Sequence, residues 1–194
     1  MNTRIPAGIF NINKPSNITS MEVVRRVKRS SGIKKVGHGG TLDPLATGVI
    51  PIFLGPATRM MEYVLDTSKV YRATIEFGVT TDTYDSTGKV TEKSDCSGLS
   101  RSEIVSALKQ FHGEITQIPP MYSALKLNGK RLYELARKGV HVERKPRPVK
   151  VYNSELGQWN PPYANIRIHC GRGFYMRSLA HDLGQIVGCG AHLT

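Results

Sequence analysis

Cysteine is scarce in this chain. Among 194 residues only Cys96, Cys170 and Cys189 occur, an odd number with no Cys-x-x-Cys pair. That argues against a disulfide framework or a cysteine-based zinc site, and makes a reducing cytoplasm the expected setting. No apolar run approaches the roughly 18 residues of a membrane span. The opening Met1–Pro6 lacks the long apolar stretch of a secretion signal. There is no internal repeat and no low-complexity tract. Acidic residues are also few, 15 against 27 Lys and Arg.

What remains is a chain with 39% hydrophobic residues and a net charge of +12, enough to build a core and to favour a polyanionic partner. The charge is segregated. Residues 14–35 carry net +6 and residues 117–150 net +7, whereas residues 62–114 carry net −3. Two basic blocks around an acidic middle suit a nucleic-acid surface better than a uniformly solvated one.

Hydrophobic spacing supplies the elements. Thr19 and Glu22 fit a capping box before a helix through Val23, Val24 and Val27, with Gly32 as its stop. Thr47–Leu54 is rich in strand formers, and Pro51 within it predicts an edge strand or a bulge. From Val70 to Val79 the alternation places Tyr71, Ala73, Ile75, Phe77 and Val79 on one face. Ser100 and Glu103 form a second capping box. A short basic helix is predicted over 129–139, strands over 147–152 and 163–170, and a last helix from Phe174 to Val187. Strands and helices mix without regular alternation, which predicts an α+β fold with a largely antiparallel sheet. The segment 117–150, with Pro119-Pro120 and many cations, fits either an insert that orders on its ligand or a surface helix with basic flanks.

The densest chemical signal is Gly37-His38-Gly39-Gly40-Thr41-Leu42-Asp43-Pro44-Leu45-Ala46-Thr47-Gly48. Glycines allow close backbone approach, and Pro44 biases Asp43 towards an extended conformation. One carboxylate on such a loop can be a reactive group or a turn cap; the residues alone leave both open. Arg177 falls in the first turn of the predicted last helix, where a cation opposes the helix dipole. A carboxylate such as Asp43 or an RNA phosphate would compensate. Tyr71 could be a core residue or a platform for a base.

Residues His38–Val49 closely resemble the signature of bacterial TruB-type tRNA pseudouridine synthases. Further stretches match in the family's order: Asn13-Lys14-Pro15-Ser16 with Thr19-Ser20, then Lys69–Ala73, then Gly173–Leu179 with Asp182-Leu183-Gly184. Ile118–Lys126, followed by Gly129, Tyr133, Ala136-Arg137 and Gly139, resembles the family's RNA-clamping insert, bounded at about 117–147. The resemblance implies a pseudouridine synthase catalytic domain over 1–194. Its substrate would be uridine 55 in the T loop of tRNA.

By the same resemblance Asp43 is the essential aspartate, Tyr71 stacks on the target base, and Arg177 pairs with that aspartate. His38 helps the nucleotide flip out. Lys14 and Pro15 belong to a motif that supports the site, and Lys14 and Tyr175, with Lys126, Lys130, Arg131 and Arg137 of the insert, are expected to contact the substrate. No cofactor, metal, membrane or protein partner is implied, and a monomer is expected. Family members continue beyond the equivalent of Thr194 with another core segment, and many add an RNA-binding PUA domain; neither lies within these residues, so the catalytic domain is expected to be C-terminally incomplete. Gly39 stands where bacterial members often carry alanine. Two rival functions follow: a tRNA-binding or tRNA-folding protein without catalysis, and a glycosidic hydrolase, although hydrolases usually need two cooperating carboxylates.

Overall fold

A computed structural model describes residues 7–127, 129–140 and 142–194; the opening Met1–Pro6 lies outside them. The chain divides into two compact units, Met1–Thr67 and Ser68–Thr194.

The first unit runs β1 (Gly8–Lys14), α1 (Ser20–Ser31), β2 (Val36–His38), β3 (Gly48–Leu54), a 3-10 turn (Gly55–Met60) and α2 (Met61–Leu65). Its three strands lie in the order β1-β3-β2, all antiparallel. Val23 and Val24 of α1 pack on Ile50 and Ile52 of β3 to form its core. Thr19 caps α1 by accepting the Glu22 N–H at 3.1 Å. The Glu22 carboxylate turns outward to Arg25, Arg26 and Arg29.

The expectation that Pro51 marks an edge or a bulge is corrected here: β3 is the central strand and pairs in unbroken register with β1. The Pro51 carbonyl accepts the Gly39 N–H at 2.8 Å. Its donor-less nitrogen therefore faces the β2 side, just past the end of that strand at His38, and no ladder bond to β1 is lost.

The second unit begins with β4 (Lys69–Phe77), β5 (Val79–Thr81) and β6 (Val90–Lys93), followed by α3 (Arg101–Lys109) and β7 (Gly113–Gln117). Next come β8 (Lys126–Leu127), β9 (Lys130–Arg131) and α4 (Leu132–Ala136), then β10 (Arg147–Asn160), β11 (Tyr163–Cys170), α5 (Met176–Ile186) and β12 (Ala191–Leu193). Its main sheet has the order β12-β4-β11-β10-β7, and every strand pair in it is antiparallel. With the helices, this is the α+β class expected from the sequence.

The alternating face of β4 holds as far as Phe77, where Gly78 at φ 86° breaks the strand and Val79 starts another. Ile75 and Phe77 join Ile166 and Ile168 of β11, Ile104 and Leu108 of α3, and Leu179 and Leu183 of α5 in one core. The basic helix expected over 129–139 is shorter, Leu132–Ala136, and the last helix starts at Met176 rather than Phe174. β10 runs well past the predicted Tyr152 because bulges after Val151 and Leu156 disrupt its alternation without ending its pairing.

Candidate active site

The loop carrying Asp43 is held by residues 14–20, which lie far from it in sequence. Ser20 Oγ accepts the Leu42 N–H at 2.9 Å and donates to the Leu42 carbonyl at 3.1 Å. Asn17 N–H donates to the Pro44 carbonyl at 2.8 Å, and Ser16 Oγ to the Leu45 carbonyl at 3.0 Å. Asp43 itself closes a turn, its carbonyl accepting the Ala46 N–H at 3.1 Å. The residues before and after the carboxylate are therefore bonded in place.

Lys14 completes this frame. Its side chain has no exposed surface. Its ammonium donates to the carbonyls of Pro15 at 2.9 Å, Ile18 at 2.8 Å and Pro44 at 3.0 Å. An ammonium has three donors, so all are committed. Burial lowers the Lys14 pKa, and the negative charge of Asp43 pulls it back up. Lys14 is thus a buried cation with no spare donor, which braces the loop and places positive charge behind Asp43.

His38, half-buried at the end of β2, donates from Nδ1 to the Gly40 carbonyl at 2.5 Å. That bond fixes its proton on Nδ1. Burial lowers its pKa, opposed by the Gly40 contact, so the neutral ring prevails at pH 7. Gly40 adopts φ 138°, a region that demands glycine. A Cβ at Gly39 would lie 2.8 Å from Cε2 of the buried Phe53. In this chain Phe53 occupies the space that alanine at position 39 would need.

In the second unit Tyr71 lies on β4, half-buried against the edge of the core. Arg177 is the second residue of α5 and is 5% exposed, so it does not point at solvent. Its Nη2 donates to the Tyr122 carbonyl at 2.9 Å and its Nη1 to the Thr83 carbonyl at 3.4 Å. Nη1 also lies 3.4 Å from Asp85 Oδ2.

Asp85 was not singled out from the sequence. Its Oδ1 accepts from Thr83 Oγ1 at 2.8 Å and the Thr87 N–H at 3.0 Å, which leaves Oδ2 towards the arginine. The signal for it was turn chemistry: Asp82, Thr83, Asp85, Ser86, Thr87 and Gly88 crowd into seven residues. Gln117 was missed as well. Its buried amide brackets Tyr175, accepting the Tyr175 N–H at 3.0 Å and donating to the Tyr175 carbonyl at 3.2 Å, and so sets the start of α5.

The basic segment leaves and re-enters the sheet at one strand pair, Gln117 opposite Arg147. Residues 118–146 are thus an excursion between neighbouring strands. Met121 and Leu132 are its buried anchors. Lys126, Lys130, Arg131 and Arg137 are all exposed. The guanidiniums of Arg131 and Arg137 lie over the Tyr133 ring, 5.9 and 5.4 Å from its centroid. Among the described residues no group of three or more His, Cys, Asp or Glu side chains is arranged to hold a metal ion. No helix there is long and apolar enough to cross a membrane.

Residues 28–176 match the family described as TruB family pseudouridylate synthase (N terminal domain). The tRNA pseudouridine synthase B of Dehalococcoides mccartyi is 56% identical over 186 residues, covering 96% of this chain and 62% of that protein. The Clostridium tetani protein of the same name is 50% identical over 184 residues, covering 95% and 64%. Among solved structures, a Cbf5-Nop10-Gar1 complex aligns at TM-score 0.73 and 33% identity, over 96% of this chain and 46% of that one. An H/ACA RNP bound to a substrate RNA containing 2'-deoxyuridine aligns at TM-score 0.69 and 29% identity, over 96% and 45%. The chain thus spans a little under two thirds of the length of these curated relatives.

Proposed function

Because the chain belongs to the TruB family of pseudouridylate synthases, we propose that it isomerises uridine to pseudouridine in tRNA, at position 55 of the T loop. The observation that carries this reading is the bolted Asp43 loop, with bonds at Leu42, Pro44 and Leu45 and the buried Lys14 ammonium behind it. A single carboxylate held to that degree is a reactive group prepared in advance, because its geometry costs nothing when the substrate arrives.

A base inside a folded loop cannot turn about its sugar until it is extruded, and His38, neutral and tied to Gly40, assists that flip. Tyr71 supplies the aromatic surface on which the uracil rests. Ionised Asp43 attacks C1′ or C6, or takes a proton from C2′. The N1–C1′ bond breaks and the uracil turns. A C5–C1′ bond forms, and C5 loses its proton while N1 gains one. Oxidation states balance, so the chemistry calls for no redox cofactor. Arg177, gripped by Asp85, Thr83 and Tyr122, is the guanidinium that steadies charge during the reaction. Tyr175 and the exposed cations of the 118–146 excursion meet the RNA, the cations at its phosphates. The protein works as a monomer in the cytoplasm.

Incubation with tRNA tritiated at uracil C5 tests the proposal. Label is released by the isomerisation and retained by a protein that only binds or folds tRNA; free uracil among the products would identify a hydrolase. Asp43→Asn is expected to reduce release by at least about 10³-fold while tRNA binding persists. Unchanged turnover in that variant removes Asp43 from its role.

A further inference from the structure

Tyr84 has φ 63°, a left-handed conformation that bulky side chains avoid. It closes a turn in which its N–H donates to the Thr81 carbonyl at 3.2 Å, and its own carbonyl accepts the Leu193 N–H at 3.0 Å. The residues on either side of it both touch Nη1 of Arg177, through the Thr83 carbonyl and the Asp85 carboxylate, each at 3.4 Å. The left-handed residue thus lies between two groups that meet at one nitrogen.

The Tyr84 ring is stacked on His181, with centroids 4.0 Å apart and planes at 12°. His181 is four residues beyond Arg177 on α5, so the two side chains leave the helix on the same face one turn apart. Nδ1 of His181 is buried and makes no hydrogen bond among the described residues. The imidazole is therefore held by its ring face. Burial and the positive charge of Arg144 both favour its neutral form. Thus α5 grips the turn twice, by its flanks through Arg177 and by its centre through His181.

We infer that His181 is a positioning residue: by stacking on Tyr84 it fixes the turn that aims Thr83 and Asp85 at Arg177. The inference rests on the proposed reaction in so far as Arg177 serves it. A ring that only filled space would affect stability, whereas a ring that positions Arg177 affects the chemical step and the motion of the guanidinium.

The test compares His181→Ala with His181→Phe in the full chain, by single-turnover tritium release, by tRNA affinity, and by nitrogen NMR of the Arg177 guanidinium. For the alanine variant the expected result is a rate about tenfold lower, since small misplacements at a distance are costly in rate. Its tRNA Kd should stay within about twofold of the parent, with faster rotation of the Arg177 guanidinium. His181→Phe, which keeps a planar ring, should restore the rate to within about threefold and slow the rotation again. Should the alanine variant fail to fold, His181→Leu makes the same comparison with the space filled and no ring. A parent-like rate and parent-like Arg177 signals in the ringless variant would overturn the inference, as would equal damage from phenylalanine. If the parent chain releases no label, the proposed reaction falls, and the Arg177 signals alone decide the coupling.

Discussion

Lys14 has no exposed surface, whereas Lys126, Lys130, Arg131 and Arg137 of the 118–146 excursion all stand in solvent. These cations do opposite work. The Lys14 ammonium gives its donors to three carbonyls and its charge to Asp43. Taking it out of water is tolerable only because every donor is satisfied and a negative charge stands near. The excursion keeps its cations hydrated, and two of them lie over the Tyr133 ring. Even Arg131, which donates to the Tyr133 hydroxyl at 3.1 Å, keeps guanidinium donors that a phosphate can reach. Buried charge fixes geometry; exposed charge is left over for a ligand.

The first way to break this comparison is Lys14→Met. The substitution fills similar space but leaves the carbonyls of Pro15, Ile18 and Pro44 without their donor. A destabilisation of about 3 kcal/mol is expected, read from urea unfolding. Alanine at any one of the four exposed cations should change stability by less than about 0.5 kcal/mol. If Lys14→Met were as stable as the parent, the buried ammonium would not be a brace.

The reciprocal experiment replaces Lys126, Lys130, Arg131 and Arg137 together by alanine. Stability should hardly move. Affinity for tRNA should fall at physiological salt. Its dependence on salt should flatten by up to about 0.9 in logarithmic slope for each phosphate that is no longer neutralised, somewhat less where the RNA is single-stranded. Fluorescence anisotropy across a salt series checks this. An unaltered slope would mean that the excursion does not touch phosphates.

The two regions also differ in how far they could be read beforehand. The Asp43 loop was conspicuous because its glycines, histidine, proline and carboxylate are packed into twelve residues. Its supports were legible only as a matching stretch. Ser20 to Leu42 and Lys14 to Pro44 are contacts across 22 and 30 residues, and no local pattern encodes them. For the same reason the burial of Lys14 is not legible locally: a lysine in a basic block looks exposed until the fold closes over it. Asp85 was hidden differently, inside an acidic stretch that entered the reading only as net charge. The α+β class was readable because alternation and helical spacing are local. The central place of β3 was not, since which side of Pro51 meets a neighbour depends on where β2 stops. The excursion was visible as charge, and its base became definable only through the Gln117–Arg147 pairing.

Asp182 sharpens the contrast with a smaller effect. It lies on α5, and burial alone pushes its carboxyl up from 3.8 to about 6. Lys14 has the opposite charge of Asp43 to offset its burial; no such cause offsets burial at Asp182. The sign follows from which form the fold prefers. A carboxyl whose pKa is raised on folding favours the folded state in its protonated form, so its contribution is complete below about pH 3.8 and is lost as pH rises through about 6. At pH 7.5 the ionised group works against the fold. Asp182→Asn keeps the shape without the charge and should stabilise the protein at pH 7.5 by about 1 kcal/mol, a figure discounted for the group's remaining contact with water. At pH 4 the same substitution should be nearly neutral. Urea unfolding at the two pH values checks both halves. A loss of stability at both would mean that the Asp182 carboxylate holds a partner the fold needs, and that this second unit, like the first, keeps a buried charge for structural reasons.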